Sequence, residues 1–358
     1  MEKFRKAEFL WFHIMPSAQL ASAFQPIANF FQRLTIVSPK EVKLSIGLDV
    51  GSTSVKALAL GARKGAGLRP IVAQQLIPLV SGQDVDASGA IKSAVAALHL
   101  PLRSVNLSVS GQWVIMRIVE MPVLKPAEMK QALPFEAQRY LPFNVQDVIV
   151  DGEILGPADA NKLWVLIVAC KKELIERRID WVRRAGLEVG LIDVDALALA
   201  NSFLATTTSQ RSEGTRALMN VGSQLTNLVI FQGTIPYLVR DIPWGSEKLS
   251  RSVAEQLGMT TEVVLQDVAQ GSQQPELRNA IKLATETLVT ELQLSFDYFE
   301  NRFGQPPEQI LSCGGLGQST IFLEALKEYF TQTVALWVPV SGLSGQFAIT
   351  YGLALRTT

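Results

Sequence analysis

Residues Ser45 to Gly61 read SIGLDVGSTSVKALALG: an apolar run, a polar turn, and a second apolar run. The turn holds Asp49, Gly51, Ser52, Thr53 and Ser54, and Lys56 follows as the second run begins. Two readings compete, a plain hairpin tip and a grip for phosphate. Gly51 lacks a Cβ, so backbone N–H groups around it can approach an anion closely. Ser52, Thr53 and Ser54 add hydroxyl donors, and Lys56 adds a point charge. Asp49, at the strand end, is placed to hold Mg²⁺ through water.

The same design returns half a chain later. GLDVGSTSVKALAL (Gly47 to Leu60) aligns with LMNVGSQLTNLVIF (Leu218 to Phe231), pairing Asp49 with Asn220, Gly51 with Gly222 and Ser52 with Ser223 at one constant offset. Each copy reads strand, Gly-Ser turn, strand, with a third strand expected at Arg69–Leu79 and Thr234–Trp244. Such self-similarity points to two lobes of common design. A later stretch, QILSCGGLGQSTIFLEALKEYF (Gln309 to Phe330), reads as strand, glycine turn and helix. There Gly314, Gly315 and Gly317 would let a nucleoside lie against the backbone. A duplicated turn followed by a third glycine turn favours the phosphate grip over the hairpin tip.

Composition narrows the classes. The chain has 358 residues, long enough for more than one packed unit. It is 48% hydrophobic with 33 basic and 33 acidic residues, so no global field favours nucleic acid or an anionic membrane. Cys170 and Cys313, the two cysteines, lie in apolar strand-like runs, which argues for buried thiols in a reducing compartment. With only His13 and His99, histidine metal sites and triads have little raw material. No apolar run reaches the roughly 18 residues of a membrane span.

Residues 1–40 stand apart. FLWFHIMPSAQLASAFQPIANFFQRL (Phe9 to Leu34) is rich in aromatic and aliphatic residues but broken by Pro16 and Pro26, so at most two short amphipathic pieces are expected. A membrane-surface anchor, a docking arm and a functionless extension all remain open. In the middle, SVNLSVSGQWVIMRIVEMP reads as two strands and KPAEMKQALPFEAQRYL as a helix opened by Pro126 and kinked at Pro134. LWVLIVACKKELIERRIDWVRRAGLEVGLIDV reads as strand, helix, strand. Its helix aligns Ile175, Ile179 and Val182, carries Arg183 and Arg184 in the last turn, and meets a capping glycine at Gly186.

These motifs resemble the PilM family of type IV pilus assembly proteins, within the actin-like ATPase superfamily and related to FtsA. IGLDVGSTSVK matches the first phosphate motif, NVGSQLTNLVIFQG the second and ILSCGGLGQ the adenosine motif. LPFEAQRYLPFNVQDVIVDGEIL, RDIPWGSEKLSRSVAEQLGM and AITYGLALR are more specific, and the resemblance covers about residues 44 to 356. It implies an α/β actin-like fold, with two RNase H-like lobes around a nucleotide cleft and an FtsA-like inserted subdomain. The implied division is a first lobe at 41–110, the insertion at 111–190, a crossing helix at 191–212, the second lobe at 213–336 and a return to the first at 337–358. ATP and Mg²⁺ are the implied cofactors, on Asp49, the turn at 51–56, Asn220, Gly222, Ser223 and the glycines at 314–317. The implied partner is a PilN-like inner-membrane protein. Its N-terminal cytoplasmic peptide would lie between the first lobe and the insertion, near Pro142 and Phe143. Pilus motor and platform proteins would be indirect neighbours, self-association is open, and the expected place is the cytoplasmic face of the inner membrane.

Two departures bear on activity. Hydrolytic actin-like proteins usually carry Asp where this chain has Asn220, and an amide brings no charge to attract a metal or polarise water. An acidic residue and a Lys expected near adenine and ribose fall on Leu265 and Val268. Asp193 and Asp195 could supply a carboxylate, although Asp195 also suits a cap for a helix starting at Ala196. The expectation is a nucleotide-binding scaffold with little turnover. Alternatives are an active ATPase or sugar-type kinase, and an FtsA-like membrane-tethered filament protein.

Overall fold

Two five-stranded sheets with the same connectivity carry the molecule, and both are built around the repeated hairpin. The computed structural model describes residues 44–63, 67–79, 86–101, 104–158, 161–207 and 214–356. The expectations for the arm at 1–40 lie outside these residues.

In the first lobe β1 (Leu44–Val50), β2 (Ser54–Gly61) and β3 (Ile71–Pro78) form an antiparallel meander. After α1 (Ser88–Ala96), β4 (Ser104–Val109) pairs parallel to β1. The chain then leaves the sheet for an antiparallel unit made of β5 (Val114–Pro122), α2 (Pro126–Gln138), β6 (Val148–Pro157) and β7 (Lys162–Lys171), in the order β5-β7-β6. The helix α2 runs through Pro134 as a single element. Period-two alternation gives this small sheet two apolar faces. Met116, Leu166, Val168 and Cys170 join the first-lobe core, while Val119, Met121, Val165 and Ile167 pack with Met129, Leu133 and Ala137 of α2.

From β7 the chain returns through α3 (Lys172–Arg184) to β8 (Glu188–Val194), which pairs parallel to β4 and completes the first sheet. A parallel neighbour needs a crossover connection, which α3 supplies, so α3 and β8 lie with the first sheet. The end of α3 is as expected. Gly186 has φ 79°, its N–H reaches Arg183 O at 2.9 Å, and Leu187 N–H reaches Val182 O at 3.1 Å, a Schellman arrangement.

The buried helix α4 (Asp195–Thr206) leads to the second lobe, where β9 (Thr215–Val221), β10 (Thr226–Gln232) and β11 (Ile235–Ile242) repeat the meander. Helices α5 (Ser246–Leu257), α6 (Thr261–Gln270) and α7 (Pro275–Phe303) cover it, and β12 (Gln309–Cys313), α8 (Thr320–Lys327) and β13 (Thr333–Leu336) complete the sheet in the order β11-β10-β9-β12-β13. The closing helix α9 (Ala348–Leu355) packs between β1 and α4. One continuous core crosses the lobes: Phe203 of α4 stacks 4.9 Å from Phe231 of β10. The insertion also reaches the second lobe, where Trp164 lies 5.4 Å from Phe303 and Arg302 pairs with Glu120 at 2.9 Å. Among the described residues no helix is long and apolar enough to cross a membrane.

Candidate functional site

The β1–β2 register sets the first half of the site. Asp49 and Lys56 are direct partners across the hairpin, and Nζ lies 2.9 Å from Oδ2 with both side chains nearly buried. Gly51 N–H closes the turn on Ser54 O at 3.0 Å, and Thr53 O accepts from Leu79 N–H at 2.8 Å. Ser52 and Thr53 are exposed, while Gly51 and Ser54 are half-buried.

In the second lobe the equivalent partners are Asn220 and Asn227, with Asn220 Nδ2 donating to Asn227 Oδ1 at 2.9 Å. The row extends onto β11, where Asn227 Nδ2 donates to Asp241 Oδ1 at 2.8 Å. The other Asp241 oxygen accepts the backbone N–H of Gly111, at the root of β5, at 2.8 Å. Burial raises the Asp241 carboxyl above its usual range, and these two N–H bonds oppose the rise. An ionised carboxylate only accepts, so it orients the whole row: Asn227 must turn its NH₂ to Asp241 and its oxygen to Asn220. The Asn220 oxygen then faces the third turn, 3.9 Å from Cys313 Sγ.

The second turn is clasped where the first is open. Gly222 N–H closes on Leu225 O at 2.9 Å, as Gly51 does on Ser54. The first N–H groups of α5 then bond to the turn, Ser246 to Gly222 O at 3.0 Å and Glu247 to Ser223 O at 2.9 Å. This needs glycine at 245, where a Cβ would sit 2.4 Å from Ser223 O. The third turn is seated on the second. Leu316 N–H bonds Val221 O at 3.1 Å, and Gly314 has φ 91° with no room for a Cβ beside Val221 O and Asn220 Oδ1. Gly317 is buried against Cys313 O, whereas Gly315 is exposed and open.

Asp195 lies between the two rows. It is the first residue of α4, and the N-cap position falls on Val194. The Asp195 carboxylate accepts from Ser108 Oγ at 2.5 Å and from the Ser110 hydroxyl. Burial, and then the charges of Asp49 and Asp241, push its pKa up to about 6. Asp193 is separate: it is fully buried with Oδ2 3.6 Å from the Arg356 guanidinium. Sequence reasoning missed Asp241, Gly111, Gly245 and Arg178. Arg178 lies on the stripe of α3 that buries Leu174, Ile175 and Val182, and its Nε is buried without a hydrogen-bond partner. Burial lowers its pKa, and the charges of Asp195 and Asp49 oppose that.

The residues present fit the phosphates of a nucleotide: an open Gly-Ser-Thr turn, a lysine, and a donor amide on the facing lobe. They fit Mg²⁺ poorly. The Asp49 carboxylate is already paired with Lys56, so direct coordination of a metal there would have to displace the ammonium.

The family profile described as type IV pilus assembly protein PilM matches residues 47–357. Among solved structures, a PilM–PilN type IV pilus biogenesis complex is similar at 21% identity and TM-score 0.75, over 88% of this chain and 98% of that one. The ethanolamine utilization protein EutJ from Carboxydothermus hydrogenoformans is similar at 14% identity and TM-score 0.54, over 93% and 97%. At these identities the likeness to solved structures speaks for the fold, which is that of the actin-like ATPases. The profile match spans most of the chain, and the protein belongs to the type IV pilus assembly protein PilM family.

Proposed function

We propose that this chain is a nucleotide-responsive scaffold of a type IV pilus assembly machine, acting at the cytoplasmic face of the inner membrane. ATP would lie between the first and third turns, and the N-terminal peptide of a PilN-like protein beside the insertion. The observation that carries this reading is the row Asn220–Asn227–Asp241, which ends on Gly111 and so ties a phosphate turn to the root of the inserted sheet. Two residues on, Trp113 is partly exposed, 6.4 Å from Phe143, with the Lys171 ammonium 3.8 Å over its ring. An aromatic and cationic surface at that root suits a short peptide. Titrating a fluorescent PilN-type N-terminal peptide with the purified chain, with and without ATP, tests this. Binding that strengthens with ATP supports the proposal; no binding in either condition sinks it.

A second reading, slow hydrolysis, is favoured by Asp195 alone, a buried carboxylate held near neutrality beside Asp49. Phosphate release that disappears in Asp195→Asn would establish it.

A further inference from the structure

We propose that this pocket holds a nucleotide's phosphates without a divalent cation, with Lys56 supplying the positive charge and Asn220 an N–H donor. The inference rests on the nucleotide reading above and concerns how that site is charged.

Three observations carry it. First, Lys56 is opposite Asp49 by strand register, so the 2.9 Å pair is built into the hairpin. A metal bound directly to Asp49 would have to compete with that nearly buried ammonium for the same carboxylate. Second, Asp241 sets the direction of the facing row. Its two oxygens take N–H groups from Asn227 and Gly111, so Asn220 gives one N–H to Asn227 and turns its oxygen toward Cys313. What the row leaves on Asn220 is the second amide hydrogen, a group that binds anions and not cations. Third, the remaining carboxylate, Asp195, is engaged by the Ser108 and Ser110 hydroxyls and attracted by the charge of Arg178. The position where a divalent ion would sit between carboxylate and phosphate is thus served by the protein's own ammonium.

The test is calorimetric titration of ATP into the full chain, once with EDTA and once with millimolar Mg²⁺, with tripolyphosphate as a probe lacking the nucleoside. The native chain is expected to bind ATP with affinities within about threefold of each other in the two conditions. Lys56→Gln is expected to lose roughly 10- to 100-fold in EDTA, the worth of one charged hydrogen bond. Mg²⁺ should restore much of that loss, because Asp49 is then free for the metal. Lys56→Arg should stay metal-independent, and Asn220→Asp should bind ATP tightly only with Mg²⁺. Circular dichroism melts confirm that each variant is folded. The proposal is overturned if the native chain weakens tenfold or more in EDTA, or if folded Lys56→Gln binds like the native chain without metal. Loss confined to EDTA leaves the nucleotide reading standing; absence of binding in both conditions removes both.

Discussion

Across β1, β2 and β3 the row in the first lobe is Asp49, Lys56, Leu76; across β9, β10 and β11 the row in the second is Asn220, Asn227, Asp241. The two rows hold the same rank in sheets of the same topology. The first pairs an ammonium with a carboxylate across the hairpin and ends on a half-buried leucine. The second is neutral beside its turn and keeps its charge on the far strand, where Asp241 grips Gly111 of the other lobe. Their turns differ in the same sense. The first leaves Ser52 and Thr53 exposed, while the second has its carbonyls taken by the start of α5. The frame is the same and the details differ: one hairpin keeps an open turn, and the other ties its lobe to Gly111.

The contrast in the turns breaks most sharply at glycine. Gly245→Ala would push a Cβ to 2.4 Å from Ser223 O and is expected to cost about 3 kcal/mol or more by urea denaturation. Gly51→Ala, whose Cβ would lie 3.2 Å from Ser54 O, should cost under about 1 kcal/mol. Equal losses would mean that the two turns are held alike.

Asp241→Ala strands two donors, Asn227 Nδ2 and Gly111 N–H, and should cost about 2–4 kcal/mol. Faster hydrogen exchange at the Gly111 amide in this variant is the signature of a lost strut; unchanged protection there would refute the inter-lobe role.

Asp195, between the rows, gives a pH signature. Its folded pKa of about 6 exceeds its ordinary value, so the native state holds the extra proton and this residue's contribution to stability falls as pH rises from about 4 to 6. Asp195→Asn should remove that fall and gain up to about 3 kcal/mol at pH 7, with no gain at pH 4. Melting curves of parent and variant at the two pH values check it.

The smallest effect distinguishes the pairs themselves. A double-mutant cycle on Asp49 and Lys56, nearly buried and charged, should give a coupling of about 1–2 kcal/mol. The cycle on Asn220 and Asn227 should give about 0.5–1 kcal/mol, since both partners are neutral. A reversed order would undo the assignment of the charged pair to the first lobe.

Much of this was legible in the chain. The two hairpins, the third turn, the Pro126 start of α2 and the Gly186 cap all follow from short-range rules, because turns and caps are decided by residues a few positions apart. The return of α3 and β8 to the first sheet was not, since nothing local says which sheet edge a strand will fill. Arg178 hid in a helix whose apolar spacing already accounted for the buried face.

Asp241 shows the limit best. Counting back from the β10–β11 turn along an unbroken ladder would set Arg240 opposite Asn227. A bulge at Ile230 and Phe231 shifts the register by one residue and brings Asp241 there instead. The sequence by itself determined the repeated strand–turn–strand frame, the third glycine turn and the Gly186 cap, all within short range along the chain. Only the tertiary structure decided that Asp241 joins the second row, that Gly111 receives it, and that Asp195 stands between the lobes. Those contacts depend on register and on packing between distant segments, and local spacing does not encode either.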